Sequence, residues 1–185
     1  MPAPISSRKR VLDQLVGLFR RDGYDGVSIS RISDVTGLGR PSLYYYFPGG
    51  KDEMAHAVLD AASKWFDENV AAVARGDGTP ASRLKTMLVN IDRFYSGGRE
   101  ACLLNAFMLG ETNAALSKPV RAAFEAWVDA FALISRDTGA TKTQARRRAE
   151  GAVARIQGAL VLARSLNDDA IFARTLRDIE TLILE

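Results

Sequence analysis

The sequence predicts an all-α chain: an N-terminal three-helix head carrying a helix-turn-helix, then a C-terminal helical bundle, about nine helices in all. Two observations predict it. Apolar residues recur at spacings of three and four in almost every segment, and nowhere alternate convincingly at two, so amphipathic helices are favoured over half-buried strands. Forty-seven per cent hydrophobic and 25% charged residues over 185 positions are the composition of a globular chain with a large core, not of a disordered one.

Val11, Leu12, Leu15, Val16 and Phe19 mark the first helix, with Ser6 or Ser7 as its N-cap and Asp22-Gly23 as its stop. After a loop from Tyr24 to Val27, Ser28 is the expected N-cap of a short second helix with Ile29, Ile32 and Val35, closed by Thr36-Gly37. A third begins at once. Gly39 is its cap, Pro41 falls in the first turn where a missing N–H is tolerated, Leu43 and Phe47 face inward one turn apart, and Pro48-Gly49-Gly50 ends it.

From Lys51 a long fourth helix is expected to about Ala74, with two apolar stripes, Met54, Val58, Ala61, Trp65 and Ala55, Leu59, Ala62, Phe66. The stretch from Arg75 to Pro80 is the clearest break. Leu84, Leu88, Ile91 and Tyr95 give the fifth helix up to Ser96-Gly97-Gly98, and Cys102 to Gly110 a short sixth. Ser117-Lys118-Pro119 opens the seventh, with Val120, Phe124, Trp127, Phe131 and Ile134, and Thr138-Gly139 stops it. The eighth, with Ala145, Ala149, Ala152, Ile156, Ala159, Ala163 and Leu166, is a heptad seam made mainly of alanine. Asn167-Asp168-Asp169 breaks it before a ninth helix with Phe172, Leu176, Ile179 and Ile183.

Composition excludes several classes. A single cysteine, Cys102, cannot pair within the chain, and with one histidine, His56, zinc sites of the Cys/His kind are excluded. No apolar run approaches the ~18 residues of a membrane span, and the basic start lacks an apolar export segment, so a cytoplasmic protein with no membrane association is expected. With no Gly-rich phosphate loop, no ligand-like carboxylate cluster and no partner near Cys102, neither an enzyme nor a cofactor is expected.

Charge divides unevenly. Residues 1–51 hold eight Lys/Arg and four Asp/Glu, whereas 52–185 hold seventeen and eighteen. A basic head on a near-neutral body points to a polyanionic partner for the head, the alternative being a chance excess on a solvated surface.

Ser28 to Lys51 carries the most information. Two short helices joined by Thr36-Gly37-Leu38-Gly39 have the length and turn chemistry of a helix-turn-helix, whose second helix enters the major groove of DNA; a tight structural hairpin is the other reading. With Leu43 and Phe47 inward, Arg40, Pro41, Ser42, Tyr44, Tyr45 and Tyr46 point outward. Three successive rings, about 100° apart on a helix, cannot all pack beneath it. Tyrosine hydroxyls and a helix N-terminus suit phosphate, and Arg40 can donate twice to guanine.

Leu18-Phe19, Gly23-Tyr24, Val27-Ser28-Ile29, Ile32, Gly37-Leu38, Ser42-Leu43-Tyr44-Tyr45-Tyr46-Phe47, Lys51 and Met54 together resemble the tetracycline-repressor (TetR) family of bacterial transcriptional regulators, over roughly the first 55 residues. The resemblance implies a DNA-binding head over 1–50, a helical ligand-binding and dimerisation body over 51–185, and a homodimer on a double-stranded inverted-repeat operator. It implies phosphate contacts from Ser28, Tyr44, Tyr46 and Lys51 and base contacts from Arg40, Pro41, Ser42 and Tyr45. The chain departs from the family pattern at Ser33, Gly39 and Pro41, where an alanine, a capping serine and a small residue are usual.

The stretches Ala101-Cys102-Leu103-Leu104-Asn105 and Gln157 to Arg164 are similar to a drug- or flavonoid-responsive subgroup of that family. The similarity implies a repressor released by a small apolar or aromatic effector. Trp65, Phe66, Phe94, Phe107, Met108, Phe124 and Trp127 are candidates to line its pocket, with Cys102 and Asn105 as polar or polarisable elements, plain core being the alternative for each. Ala152, Ile156, Ala159, Ala163, Phe172, Leu176 and Ile179 are candidates for the dimer interface, the alternative being packing within the chain. From another class, a helical small-molecule carrier or interaction protein without sequence-specific DNA binding fits the same pattern.

Overall fold

The structure is a computed structural model and describes residues 6–108 and 114–185. Among these the elements are α1 (Ser6–Asp22), α2 (Ile29–Thr36), α3 (Arg40–Tyr46), α4 (Gly50–Phe66), a π-helical turn (Asp67–Ala71), α5 (Ala72–Arg75), α6 (Pro80–Phe94), a 3-10 turn (Ser96–Gly98), α7 (Leu103–Met108), α8 (Ala114–Asp137), α9 (Lys142–Leu166) and α10 (Ala170–Leu184). There is no strand among the described residues. Two compact units result, one of residues 1–63 and 103–120, the other of 64–102 and 121–185.

In the first unit α1 buries Val11, Leu15, Leu18 and Phe19, and packs on α2 and α7. The Phe19 ring meets the Phe107 ring edge-on at 5.2 Å. Ser28 caps α2 by accepting from the Arg31 N–H at 3.2 Å, and Gly37 closes it in the left-handed conformation at φ +70°. Ser6 and Ser7 fall within α1 and not ahead of it; their side chains, and residues 109–110 at the expected end of the sixth helix, lie outside the described residues.

In the second unit α9 and α10 are the main pair. Thr141 and Gln144 form a reciprocal capping box at the start of α9, and Asn167, left-handed at φ +51°, ends it. The turn before α7 is tight: Gly98 has φ +97°, and a side-chain carbon there would lie 2.6 Å from Phe172 Cβ, so only glycine fits.

Two elements differ from the sequence reading. The long fourth helix is not α-helical throughout, because a π turn interrupts it at Asp67–Ala71. Asn69 Nδ2 donates to the Trp65 carbonyl at 2.8 Å, and Asn90 Nδ2 donates to the Asn69 carbonyl at 2.8 Å, so side-chain amides from two helices support the widened turn. The seventh helix includes Ala114 to Lys118 ahead of Pro119, which therefore lies inside α8 and does not open it.

Candidate nucleic-acid interface and ligand site

The turn between α2 and α3 satisfies its own polar groups. Ser33 Oγ donates to the Leu38 carbonyl at 2.5 Å, Thr36 Oγ1 donates to the Ile32 carbonyl at 2.7 Å, and the Leu38 N–H donates to Thr36 Oγ1 at 3.3 Å. Ser33 thus does more than pack: it ties the turn to α2. The Gln14 side-chain Nε2 donates to the Val35 carbonyl at 3.0 Å, so α1 braces the same corner.

On this frame α3 is divided between two faces. Leu43 and Phe47 are fully buried, while Arg40, Pro41, Ser42, Tyr44 and Tyr45 are exposed and Tyr46 is half-buried. Tyr45 has 81% of its surface open, and its ring meets Tyr46 edge-on at 5.4 Å. Tyr44 lies across Gly50, at φ +66°, where a side-chain carbon would come within 3.4 Å of the ring. The Arg8 guanidinium stands 5.0 Å above the Phe47 ring.

Lys51 sits differently from a free surface lysine. Its Nζ donates to the Tyr24 carbonyl at 3.2 Å and lies 4.0 Å from the centre of the Tyr24 ring, and the Tyr24 hydroxyl donates to Asp52. The loop after α1 is thereby fastened to the start of α4. Asp22 accepts from Arg31 Nε at 2.8 Å and from Arg21 Nε at 3.1 Å. The Arg31 hydrogen bond, aided by Arg21, holds its carboxyl below the usual range against the opposing effect of burial. The bonding of Tyr24 and Asp22 was not legible in the sequence, because their partners lie 28 and 9 residues away.

The candidate ligand residues divide between the units. Asn105, Phe107 and Met108 belong to the first, where Phe107 is spent on Phe19 and Met108 is exposed. Trp65, Phe66, Phe94, Cys102, Phe124 and Trp127 belong to the second. There Trp65 stacks on Phe94 at 4.0 Å and Phe66 on Trp127 at 4.7 Å. Tyr95 links the pairs, with its ring 5.0 Å from Phe94 and 6.3 Å from Trp127, and its hydroxyl donates to Cys102 Sγ at 3.6 Å. Phe124 is half-buried on α8. Sequence reasoning placed Tyr95 only in a helix stripe; its hydroxyl beside the one cysteine was the missed polar element.

The candidate interface residues sit in a seam within the chain. Ala152, Ile156, Ala159, Ala163, Phe172, Leu176 and Ile179 are all buried inside the single chain, where α9 packs on α10. Alanine permits that close approach, so the seam is consumed within one subunit. Leu166, the last position of the expected seam, is instead 64% exposed, and Val161 and Leu162 on α9 are also more than half exposed. Of the arginine run, Arg146 bonds Glu150, Glu125 and Asp129, and Arg148 donates to Ser135 Oγ.

No helix among the described residues is long and apolar enough to cross a membrane, and no group of His, Cys, Asp and Glu among them is placed to hold a metal. Residues 11–58 match the family profile of bacterial regulatory proteins of the tetR family, and residues 80–178 that of the transcriptional regulator LmrA/YxaF-like C-terminal domain. The HTH-type transcriptional regulator LmrA of Bacillus subtilis is 25% identical over 161 residues, 85% of this chain and 86% of that protein. Among solved structures, a TetR transcriptional regulator from Legionella pneumophila superimposes with a TM-score of 0.84 at 17% identity, over 97% of each chain. One from Chloroflexus aurantiacus gives 0.79 at 25% identity, over 97% of this chain and 95% of that one.

Proposed function

Since this chain belongs to the TetR family of bacterial regulatory proteins, and is thus a transcriptional regulator with a DNA-binding N-terminal domain and not an enzyme, we propose that it is a cytoplasmic, dimeric repressor released from an inverted-repeat operator by a small apolar or aromatic molecule. The observation that carries the reading is α3, which buries Leu43 and Phe47 and leaves Tyr45 81% exposed. Arg40, Pro41, Ser42 and Tyr45 face bases, while Ser28, Tyr44, Tyr46 and Lys51 hold phosphates. Lys51 does so with the ammonium hydrogens it does not give to Tyr24.

The second subunit docks on the exposed face of α9. Leu162 and Leu166, one turn apart and in line with Gly158, form an apolar stripe there, and at Gly158 nothing lies within 4 Å of where a side chain would begin. Helix-turn-helix dimers set two recognition helices about 34 Å or a multiple apart, and a two-fold contact supplies that spacing. The effector enters among Trp65, Phe66, Phe94, Phe124 and Trp127, with Cys102 and the Tyr95 hydroxyl as its polar wall. It relieves repression only if it binds the DNA-free conformation more tightly, so saturating operator must weaken effector binding by the same factor.

The test is a selection from fragmented genomic DNA with the purified protein, followed by binding to the best fragment at two salt concentrations. Recovery of an inverted repeat whose affinity falls steeply with salt is the expected result. Absence of any enriched sequence would overturn it in favour of a ligand carrier.

A further inference from the structure

In the second unit a cavity of about 500 Å³, with none of the clustered aromatic residues in its lining, opens between the π turn with α5, the later turns of α8 and the start of α9. Its volume falls in the range of sites that hold drug-sized molecules, roughly 300–1,000 Å³. Small side chains create it: Ala71 and Ala74 from one side and Ala126 and Ala130 from the other leave room where larger residues would have met. Ala71, Ala74 and Ala130 are buried, so the floor is apolar.

The rim is charged and unevenly paired. Arg75 bonds Asp67 at 3.1 Å, and Arg146 is held by Glu150, Glu125 and Asp129. Arg136 and Lys142 also line the cavity, and among the described residues neither has a carboxylate within ion-pair distance. An apolar floor beneath two cations that form no ion pair, beside an Arg146 already held by its own carboxylates, suits a molecule with an apolar body and one anionic group.

We propose that this cavity binds an amphipathic anion, an apolar carboxylate or sulfonate whose body lies on the alanine floor and whose charge is taken by Arg136 and Lys142. Its lining shares no residue with the effector site proposed above, and it does not rest on DNA binding. It borders the π turn, whose first and last residues, Asp67 and Ala71, are part of its lining.

Calorimetric titration of the full chain with 1-anilinonaphthalene-8-sulfonate and with its uncharged counterpart N-phenyl-1-naphthylamine tests this. The sulfonate is expected to bind, and the paired substitution Arg136→Ala with Lys142→Ala to weaken it by about tenfold or more while leaving the uncharged compound unaffected. Ala130→Leu, which fills the floor, is expected to weaken both compounds. Both cationic positions are exposed, so the paired variant should keep the thermal midpoint of the parent chain. Unchanged sulfonate affinity in the paired variant, equal losses for the charged and uncharged compounds in it, or no sulfonate binding to the parent chain would each overturn the proposal.

Discussion

In the proposed reading, Tyr45 is the residue on which recognition turns. Its ring has 81% of its surface open, so it adds little to folding, whereas a base-edge contact carries on the order of 1–3 kcal/mol. Tyr45→Ala should therefore reduce operator affinity by roughly tenfold or more with an unchanged thermal midpoint. Tyr45→Phe separates hydroxyl from ring, and a thermal loss as large as the binding loss would count against a recognition role. Asp22 makes a different prediction. Its carboxyl is held below its ordinary value of 3.8, chiefly by the Arg31 hydrogen bond, so its contribution is full above that value and is lost as pH falls through the lower, folded one. Asp22→Asn should flatten the acid limb of the stability profile below about pH 4 and cost stability above it, checked by thermal midpoints across that range. The outward tyrosines were legible because a helix cannot bury three consecutive positions. The seat of Lys51 on Tyr24 was not, since a contact spanning 27 residues leaves no local periodicity.

Element boundaries were legible where backbone chemistry sets them. Ser28, Gly37, the break ahead of Pro80 and Asn167 end or begin helices through caps, breakers and left-handed turns that a sequence can display. The π turn had no such sign, because it depends on Asn69 and Asn90, side chains brought together from different helices. Asn90→Leu leaves the Asn69 carbonyl without that donor, and a loss of about 1–3 kcal/mol in urea unfolding is expected. Substitution of the exposed Val89 next to it serves as the control and should change little. Gly98→Ala probes the other element that packing determines. It combines φ +97° with a 2.6 Å approach to Phe172 Cβ, and should be among the most destabilising single substitutions outside the core aromatics.

For the whole molecule, the alanine seam of α9 shows why a heptad pattern names a packing surface and not its partner. A buried intrachain seam and a subunit seam have the same spacing; only the placement of α10 assigns Ala152, Ile156, Ala159 and Ala163 to the interior of one chain. The proposed subunit contact therefore moves to the exposed stripe, where Leu162 and Leu166 are 51% and 64% open. This yields paired outcomes. Leu162→Glu with Leu166→Glu places charge on a surface that only a second copy would bury, so the chain should stay folded yet sediment as a monomer. Because each head then binds one half-site alone, operator affinity should fall far more than the loss of any single base contact would cause. Ala159→Leu enlarges the seam instead, and should lower folding stability by about 1–3 kcal/mol through overpacking against α10. Sedimentation and thermal melting of the two variants distinguish the assignments. If the seam were the subunit contact, Ala159→Leu would dissociate the dimer and the glutamate pair would leave it intact.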